Sequence, residues 1–337
     1  MTSATRPESA AAVAQVAGYA DLAVTLDLVE VRLHDAVSAG PHLLDAAASH
    51  LLDAGGKRVR PALTALFASL VGETDPTSAA VVDAAAACEL VHIGSLYHDD
   101  VVDAAATRRG APSVNAHWSN VVAVLAGDFL LAQASRLAAG LGAAPAEVLA
   151  WTIGRLVEGE VRELELLHDH DAGTDAYMDV IGGKTASLMA AACKLGAMVG
   201  GGSDTAIVLA AEYGTELGNV FQIVDDVLDL VGDERDTGKR RGIDLVGGVY
   251  TLPTLFALAA DDDDVLRKLL AATPTEAQVE DAIDRIVAAG GVDDALAVAS
   301  ERLARCDALL ASLDDGGDSA ARSALERLAR YVVDRVR

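Results

Sequence analysis

Apolar residues in this chain recur at intervals of three and four, and that period most narrows the folds open to it. Leu63, Leu66, Phe67, Leu70 and Val71 follow the period, as do Val220, Ile223, Val224, Val227, Leu228 and Val231. This is helical spacing, not the two-residue alternation of a strand. Eight prolines stand far apart, most of them placed where a helix would start. No Asn-Gly or Asp-Gly pair has alternating flanks, and Asp315-Gly316-Gly317 falls between helical runs. Helices are predicted over 10–37, 41–54, 59–71, 77–104, 119–140, 145–170, 175–201, 204–232, 250–271, 275–289, 292–313 and 318–336. Aromatic residues make up only 4% of the chain, which also favours close-packed helices over sheets. No Ser/Pro-rich linker divides the sequence and no repeat is evident. The expectation is an all-α protein: one domain spanning 1–337, built from about a dozen helices, with its motif-bearing core over 41–260 and residues 1–15 as a flexible tail.

The formal charge of -25 comes from 51 acidic against 26 basic residues. A surface of that sign repels phosphate backbones and excludes nucleic-acid binding. Cys88, Cys193 and Cys306 are odd in number and widely spaced, so a reducing, cytoplasmic location is expected. Met1 to Ala20 contains no apolar signal region. The weakly charged stretch Thr185 to Ser203 is broken by Lys194 and ends in glycines, so no membrane span is expected there.

Two acid triplets interrupt apolar helical runs: Asp99-Asp100-Val101-Val102-Asp103 and Asp225-Asp226-Val227-Leu228-Asp229. Residues four apart share a helix face, so Asp99 joins Asp103 and Asp225 joins Asp229. Each pair repels itself. Their flanks, Leu90-Val91-His92-Ile93 and Phe221-Gln222-Ile223-Val224, read as core, where carboxylates need cations or strong donors. Hard divalent cations suit such oxygen ligands, and Mg²⁺ is the usual one when a phosphorylated substrate supplies the other oxygens.

Positive charge is scarce and clustered, in Gly55-Gly56-Lys57-Arg58-Val59-Arg60-Pro61, Arg108-Arg109-Gly110 and Gly238-Lys239-Arg240-Arg241-Gly242. Such groups form charge-assisted hydrogen bonds to anions. Arg108-Arg109 also reads as a helix C-terminus neutralised by arginine, and 238–242 as a basic loop. Gly182-Gly183-Lys184-Thr185 lacks the first glycine and the preceding strand of a nucleotide-binding loop, which argues against an NTPase.

Taken in order, GGKRVRP, ELVHIGSLYHDDVVDAAATRRG, AVLAGDFLLAQA, GGKTASL, FQIVDDVLD, GKRRGIDL and TLP resemble the trans-isoprenyl diphosphate synthases, or polyprenyl synthetases, over residues 55 to 255. The resemblance implies helices around a deep central cavity, a homodimer, and Mg²⁺ held by Asp99, Asp103, Asp225 and Asp229 with support from Asp100 and Asp226. It also implies an allylic diphosphate contacted by Arg108, Lys184, Thr185, Gln222 and Lys239, and isopentenyl diphosphate held by Lys57, Arg60, His92 and Arg109. Val249 stands where many members have a diphosphate-contacting lysine, with Arg240 or Arg241 as compensating candidates.

The implied chemistry is ionisation of the allylic diphosphate, attack by the isopentenyl double bond and loss of a proton. His92 reads as a diphosphate donor or a core histidine. Gly94 and Ser95, one turn before Asp99, are small where short-chain members place an aromatic stopper, so a long-chain product is expected. Geranylgeranyl or farnesyl diphosphate synthesis is the alternative. A class I terpene cyclase would not need Lys57, Arg60 and Arg109, a non-catalytic subunit would not keep both triplets, and no EF-hand spacing is present.

Overall fold

The computed structural model describes residues 9–38, 40–72, 74–232, 240–270, 274–313 and 318–335. It is helical almost throughout: α1 (Ala10–Ala17), α2 (Leu22–Val37), α3 (His42–Asp53), α4 (Val59–Val71), α5 (Ala79–Val102), α6 (Val114–His117), α7 (Asn120–Leu141), α8 (Ala143–Glu165), α9 (Thr174–Ile181), α10 (Ser187–Val199), α11 (Asp204–Val231), α12 (Ile243–Gly247), α13 (Leu252–Ala259), α14 (Val265–Leu269), α15 (Glu276–Ala288), α16 (Gly291–Ser312) and α17 (Ser319–Asp334). Among the described residues, strand is confined to β1 (Thr107–Arg108) and β2 (Ala111–Pro112), paired antiparallel. The all-α expectation holds.

Two compact units are present. One comprises 1–153, 188–214 and 309–328; the other comprises 154–187, 215–308 and 329–337. In the first, α5 is the central element and is buried almost throughout, from Val81 to Tyr97. Its run of alanines, Ala84 to Ala87, gives neighbouring helices a close approach. Tyr97, fully buried, donates to Ala47 O at 2.7 Å and accepts from Leu51 N at 3.3 Å, so its hydroxyl has the partners that burial requires. Arg58 has no exposed side-chain surface and pairs with Glu30 at 2.5 Å and Glu89 at 3.0 Å, an anchor among α2, α4 and α5.

Prolines mark helix starts at α3, α4, α8 and α13, where Pro41, Pro61, Pro145 and Pro253 stand at or just inside the first turn. Pro112 departs from this and lies in β2. The predicted helix 10–37 divides because Gly18 adopts a left-handed cap (φ 58°) and donates to Ala14 O. Of the tail expected over 1–15, residues 1–8 lie outside the described ones, and Ala10 onward is helix. The predicted helix 250–271 divides at Asp261, whose carboxylate accepts from Leu266 N and Arg267 N and starts α14.

The predicted helix 175–201 contains a π-helical turn, Gly182–Ala186. Here α8 presses on the backbone: a Cβ on Gly159 would lie 2.5 Å from Lys184 N and 2.9 Å from Gly183 C. Only glycine permits that approach, and the wider turn projects Lys184 toward α8.

By length and hydropathy, α5 and α7 are each apolar enough to cross a bilayer, but 67% of the relevant stretch of α5 is buried within the protein, against 39% for α7. The exposed remainder of α7 includes Val121, Val124 and Leu125. All three cysteines are buried and none forms a disulfide.

Candidate metal and diphosphate sites

Both acid triplets fall at the C-terminal end of a long helix. Asp99 and Asp100 occupy the last turn of α5 and Asp103 is its C-cap, while Asp225, Asp226 and Asp229 occupy the last two turns of α11. The negative end of the helix dipole adds to the repulsion within each triplet, and neither last turn contains a basic residue. A cation is therefore favoured at both places.

Within each triplet the work is divided in the same way. The middle aspartate is buried and hydrogen-bonded; the outer two are accessible. Asp100 Oδ1 accepts from Arg108 Nε at 2.7 Å and lies 2.6 Å from Nη2, whereas its Oδ2 is buried without a partner. Burial raises the Asp100 carboxyl above its ordinary range, against the pull of Arg108. Asn115 Nδ2 donates to Asp100 O at 3.0 Å and to Ala105 O at 3.1 Å, tying the end of α5 to the segment that bears Arg108.

That segment is a tight hairpin. Arg108 ends β1, and Arg109 (φ 53°) and Gly110 (φ 77°) form the turn. Two left-handed central residues are what a two-residue type I′ connection requires, so the helix-end reading of Arg108-Arg109 is replaced. Left-handed backbone costs a non-glycine residue about 1 kcal/mol. The Arg109 guanidinium offsets it by donating to Leu51 O at 3.1 Å and to Gly55 O.

A cationic cluster surrounds Arg109. A Cβ on Gly56 would stand 2.6 Å from Arg58 Nη1 and 2.9 Å from Arg109 Nη1, so both guanidinium groups lie close against the Gly56 backbone. Arg58 is neutralised by its glutamates, but Arg60 Nε is buried without a hydrogen-bond partner. Burial lowers the Arg60 pKa, and the charge of Arg109 lowers it further. His92 is held well below the imidazole range by burial and then by Arg60, Arg109, Arg58 and Arg108; it is neutral at pH 7. Lys57 is half-buried in the same loop. Desolvated cations that repel one another form a site awaiting an anion.

In the second unit the buried Asp226 accepts from Tyr177 Oη at 2.6 Å and Gln222 Nε2 at 2.8 Å, and Gln222 Oε1 accepts from Thr185 Oγ1 at 2.7 Å. Burial pushes the Asp226 carboxyl up to about 7 despite these donors, with the charges of Asp225 and Glu163 adding to the rise. Asp229 accepts from Ile243 N and Asp244 N, both at 3.3 Å, and so anchors the start of α12. Lys184 pairs with Glu163 at 2.5 Å and Glu160 at 2.9 Å, and these acids hold its pKa above the usual lysine value despite burial. Arg240 pairs with Glu276 and Arg241 with Glu280, both on α15, so neither is poised to replace the lysine missing at Val249. Lys239 lies outside the described residues.

Several partners were not anticipated. Glu160 and Glu163 were detectable as an i, i+3 acidic pair on α8. Tyr177 and Arg335, which lies 2.6 Å from Asp225 Oδ1, meet their carboxylates only through folding. Among the described residues no group of three or more His, Cys, Asp or Glu side chains is gathered to hold a metal. The donor set nevertheless fits Mg²⁺, which takes one or two carboxylates and fills its octahedron with phosphate oxygens and water.

The two chain-length candidates separate. Gly94 is directed at α7, where an added Cβ would lie 3.2 Å from Gly127 O and 3.3 Å from Leu131 Cγ and Cδ2. Five residues amount to about 140° around a helix, which turns Gly94 away from Asp99. Ser95, about 40° from Asp99, is half-buried and donates to His92 O at 2.9 Å. With Cys88 and Ala85 it continues the Asp99 stripe toward the start of α5.

Known proteins resemble this chain in sequence and fold. The polyprenyl synthetase family model matches residues 41–287. Nonaprenyl diphosphate synthase of Mycobacterium tuberculosis is 41% identical over 285 residues, covering 84% of each chain. The solved decaprenyl diphosphate synthase of Rhodobacter capsulatus superposes with a TM-score of 0.87 at 34% identity, covering 97% of this chain and 99% of its own. A polyprenyl synthase of Caulobacter crescentus, solved with calcium and isoprenyl diphosphate, gives 0.86 at 33% identity, covering 98% and 99%. The ordered motifs, the all-helical fold and these matches agree, and the chain belongs to the polyprenyl synthetase family.

Proposed function

We propose that this prenyltransferase condenses isopentenyl diphosphate head to tail with an allylic diphosphate, in trans geometry, to give a long-chain polyprenyl diphosphate, with Mg²⁺ as its metal. The reading rests above all on the two acid triplets at helix C-termini, each with a buried, hydrogen-bonded middle carboxylate that leaves the outer two accessible. Asp99, Asp103, Asp225 and Asp229 would hold the metal; Asp100 and Asp226 fix the helix ends from within. When bound, Mg²⁺ supplies positive charge to the departing diphosphate.

Arg108, Lys184, Thr185 and Gln222 orient the allylic diphosphate. Arg60, Arg109, Lys57 and neutral His92 bind isopentenyl diphosphate, with His92 as a hydrogen-bond donor and not as a base. No protein nucleophile is needed, and the proton lost in coupling passes to the released diphosphate. Small side chains at Ser95, Cys88 and Ala85 leave the Asp99 stripe of α5 without a bulky stop. The exposed apolar residues of α7 support a homodimer in which a second copy covers them.

Purified protein supplied with Mg²⁺, isopentenyl diphosphate and farnesyl diphosphate should yield products extended by several isoprene units, and chelation should abolish turnover. A single addition would overturn the long-chain reading. A hydrocarbon formed without isopentenyl diphosphate would favour a cyclase.

A further inference from the structure

One cation of the second unit has no place in this mechanism. Arg335 follows the last residue of α17, and its Nη1 lies 2.6 Å from Asp225 Oδ1. Its guanidinium carbon stands 5.3 Å from the centre of the Phe221 ring, within cation–π range. Only 13% of its side chain is exposed, against 35% for Asp225. The charge of Asp225 and the Phe221 ring both hold it. Guanidinium keeps its charge throughout the working pH range.

We propose that Arg335 occupies the place of a divalent cation beside Asp225 and is displaced when the metal binds, making the C-terminal end of the chain a latch on the metal site. This rests on the reading that Asp225 is a metal ligand. Three observations support the competition. Arg335 meets an outer carboxylate of the triplet and not the buried Asp226, which Tyr177 and Gln222 already satisfy. The dipole of α11 favours a cation at Asp225. Arg335 lies beyond the last helical residue, Asp334, so its release breaks no turn of α17.

Removing the competitor should tighten metal binding in the absence of any diphosphate. Mn²⁺ titrated by electron paramagnetic resonance should bind Arg335→Gln roughly two- to fivefold more tightly than wild type, with Arg335→Lys between them and the surface variant Arg267→Gln unchanged. Unchanged or weaker Mn²⁺ binding in Arg335→Gln would overturn the proposal. Wild-type protein gives a second measurement that does not depend on a variant folding: trypsin cleavage after Arg335, followed by mass spectrometry, should accelerate on adding Mg²⁺, while cleavage of a control peptide does not. A rate insensitive to Mg²⁺ would also overturn the latch. Failure of the latch in an enzyme that still elongates isopentenyl diphosphate leaves the proposed function standing; failure to elongate refutes that function separately.

Discussion

Replacing Gly94 by Phe tests the geometry of α5 directly, because a ruler position and a packing position give opposite outcomes. The added Cβ would already sit 3.2 Å from Gly127 O and 3.3 Å from Leu131, requiring a shift of a few tenths of an ångström. The ring then has to enter a buried helix crossing. Overpacking a filled core costs about 1–3 kcal/mol, and a whole phenyl group against backbone belongs at the top of that range. At about 2 °C per kcal/mol for a chain of this size, the melting temperature should fall by roughly 5 °C or more, without a discrete shift to shorter products. Ser95→Phe should do the reverse. Ser95 is half-buried on the Asp99 stripe and bonds only to its own helix at His92 O, so the fold should tolerate the change while the products shorten. Differential scanning fluorimetry and reversed-phase chromatography of the products read both effects. If Gly94→Phe shortens the products at an unchanged melting temperature, the assignment of Gly94 to the α7 side is wrong.

Two further outcomes concern buried charge. Glu89→Gln leaves Arg58 short of one buried partner and should destabilise the fold by about 3 kcal/mol, measured by urea denaturation; a cost below 1 kcal/mol would show that Glu30 alone neutralises Arg58. Tyr177→Phe removes the 2.6 Å donor to Asp226, a hydrogen bond to a charged group worth about 1.5–3 kcal/mol; it should raise the Mg²⁺ concentration needed for half-maximal turnover, and an unchanged requirement would separate Tyr177 from the metal site.

The fold class and the outer carboxylates were legible because they depend on periods: three and four for the core, four for Asp99 with Asp103 and for Asp225 with Asp229. Gly94 follows the same period, which turns it away from Asp99 and toward Gly127 and Leu131 of α7. The hairpin at Arg108-Arg109 was hidden because its first turn residue is arginine, held in left-handed backbone by carbonyls of Leu51 and Gly55 that no local pattern reveals. Arg58, between the candidate ligands Lys57 and Arg60, proved to be structural because Glu30 and Glu89 converge on it from other helices. Lys184 gave a phosphate-like signal, yet the structure pairs it with two glutamates of α8. Composition cannot tell a cation already neutralised by the protein from one kept for a ligand; only the fold makes that distinction.

That distinction predicts different metal requirements for the two diphosphates. The residues assigned to the allylic diphosphate are already neutralised within the protein: Arg108 by Asp100, and Lys184 by Glu160 and Glu163. Each unit also carries an acid triplet at the negative end of a helix dipole. An allylic diphosphate approaching either triplet without metal would meet an excess of carboxylates, and its binding should depend on a divalent cation. Arg60, Arg109 and His92 stand differently, since Arg60 Nε has no partner, burial and then the charge of Arg109 lower the Arg60 pKa, and burial and then the charges of Arg58 and Arg108 lower that of Arg109. Isopentenyl diphosphate relieves that repulsion directly and needs no metal to do so. Titration calorimetry in chelator should therefore retain binding of isopentenyl diphosphate and lose binding of a non-ionisable thio analogue of farnesyl diphosphate, and Mg²⁺ should restore only the second. Arg60→Met should abolish the metal-independent binding while leaving the fold equally or more stable, because it removes a buried guanidinium whose Nε has no hydrogen-bond partner. Metal-independent binding of the allylic analogue would refute this division of charge between the two sites.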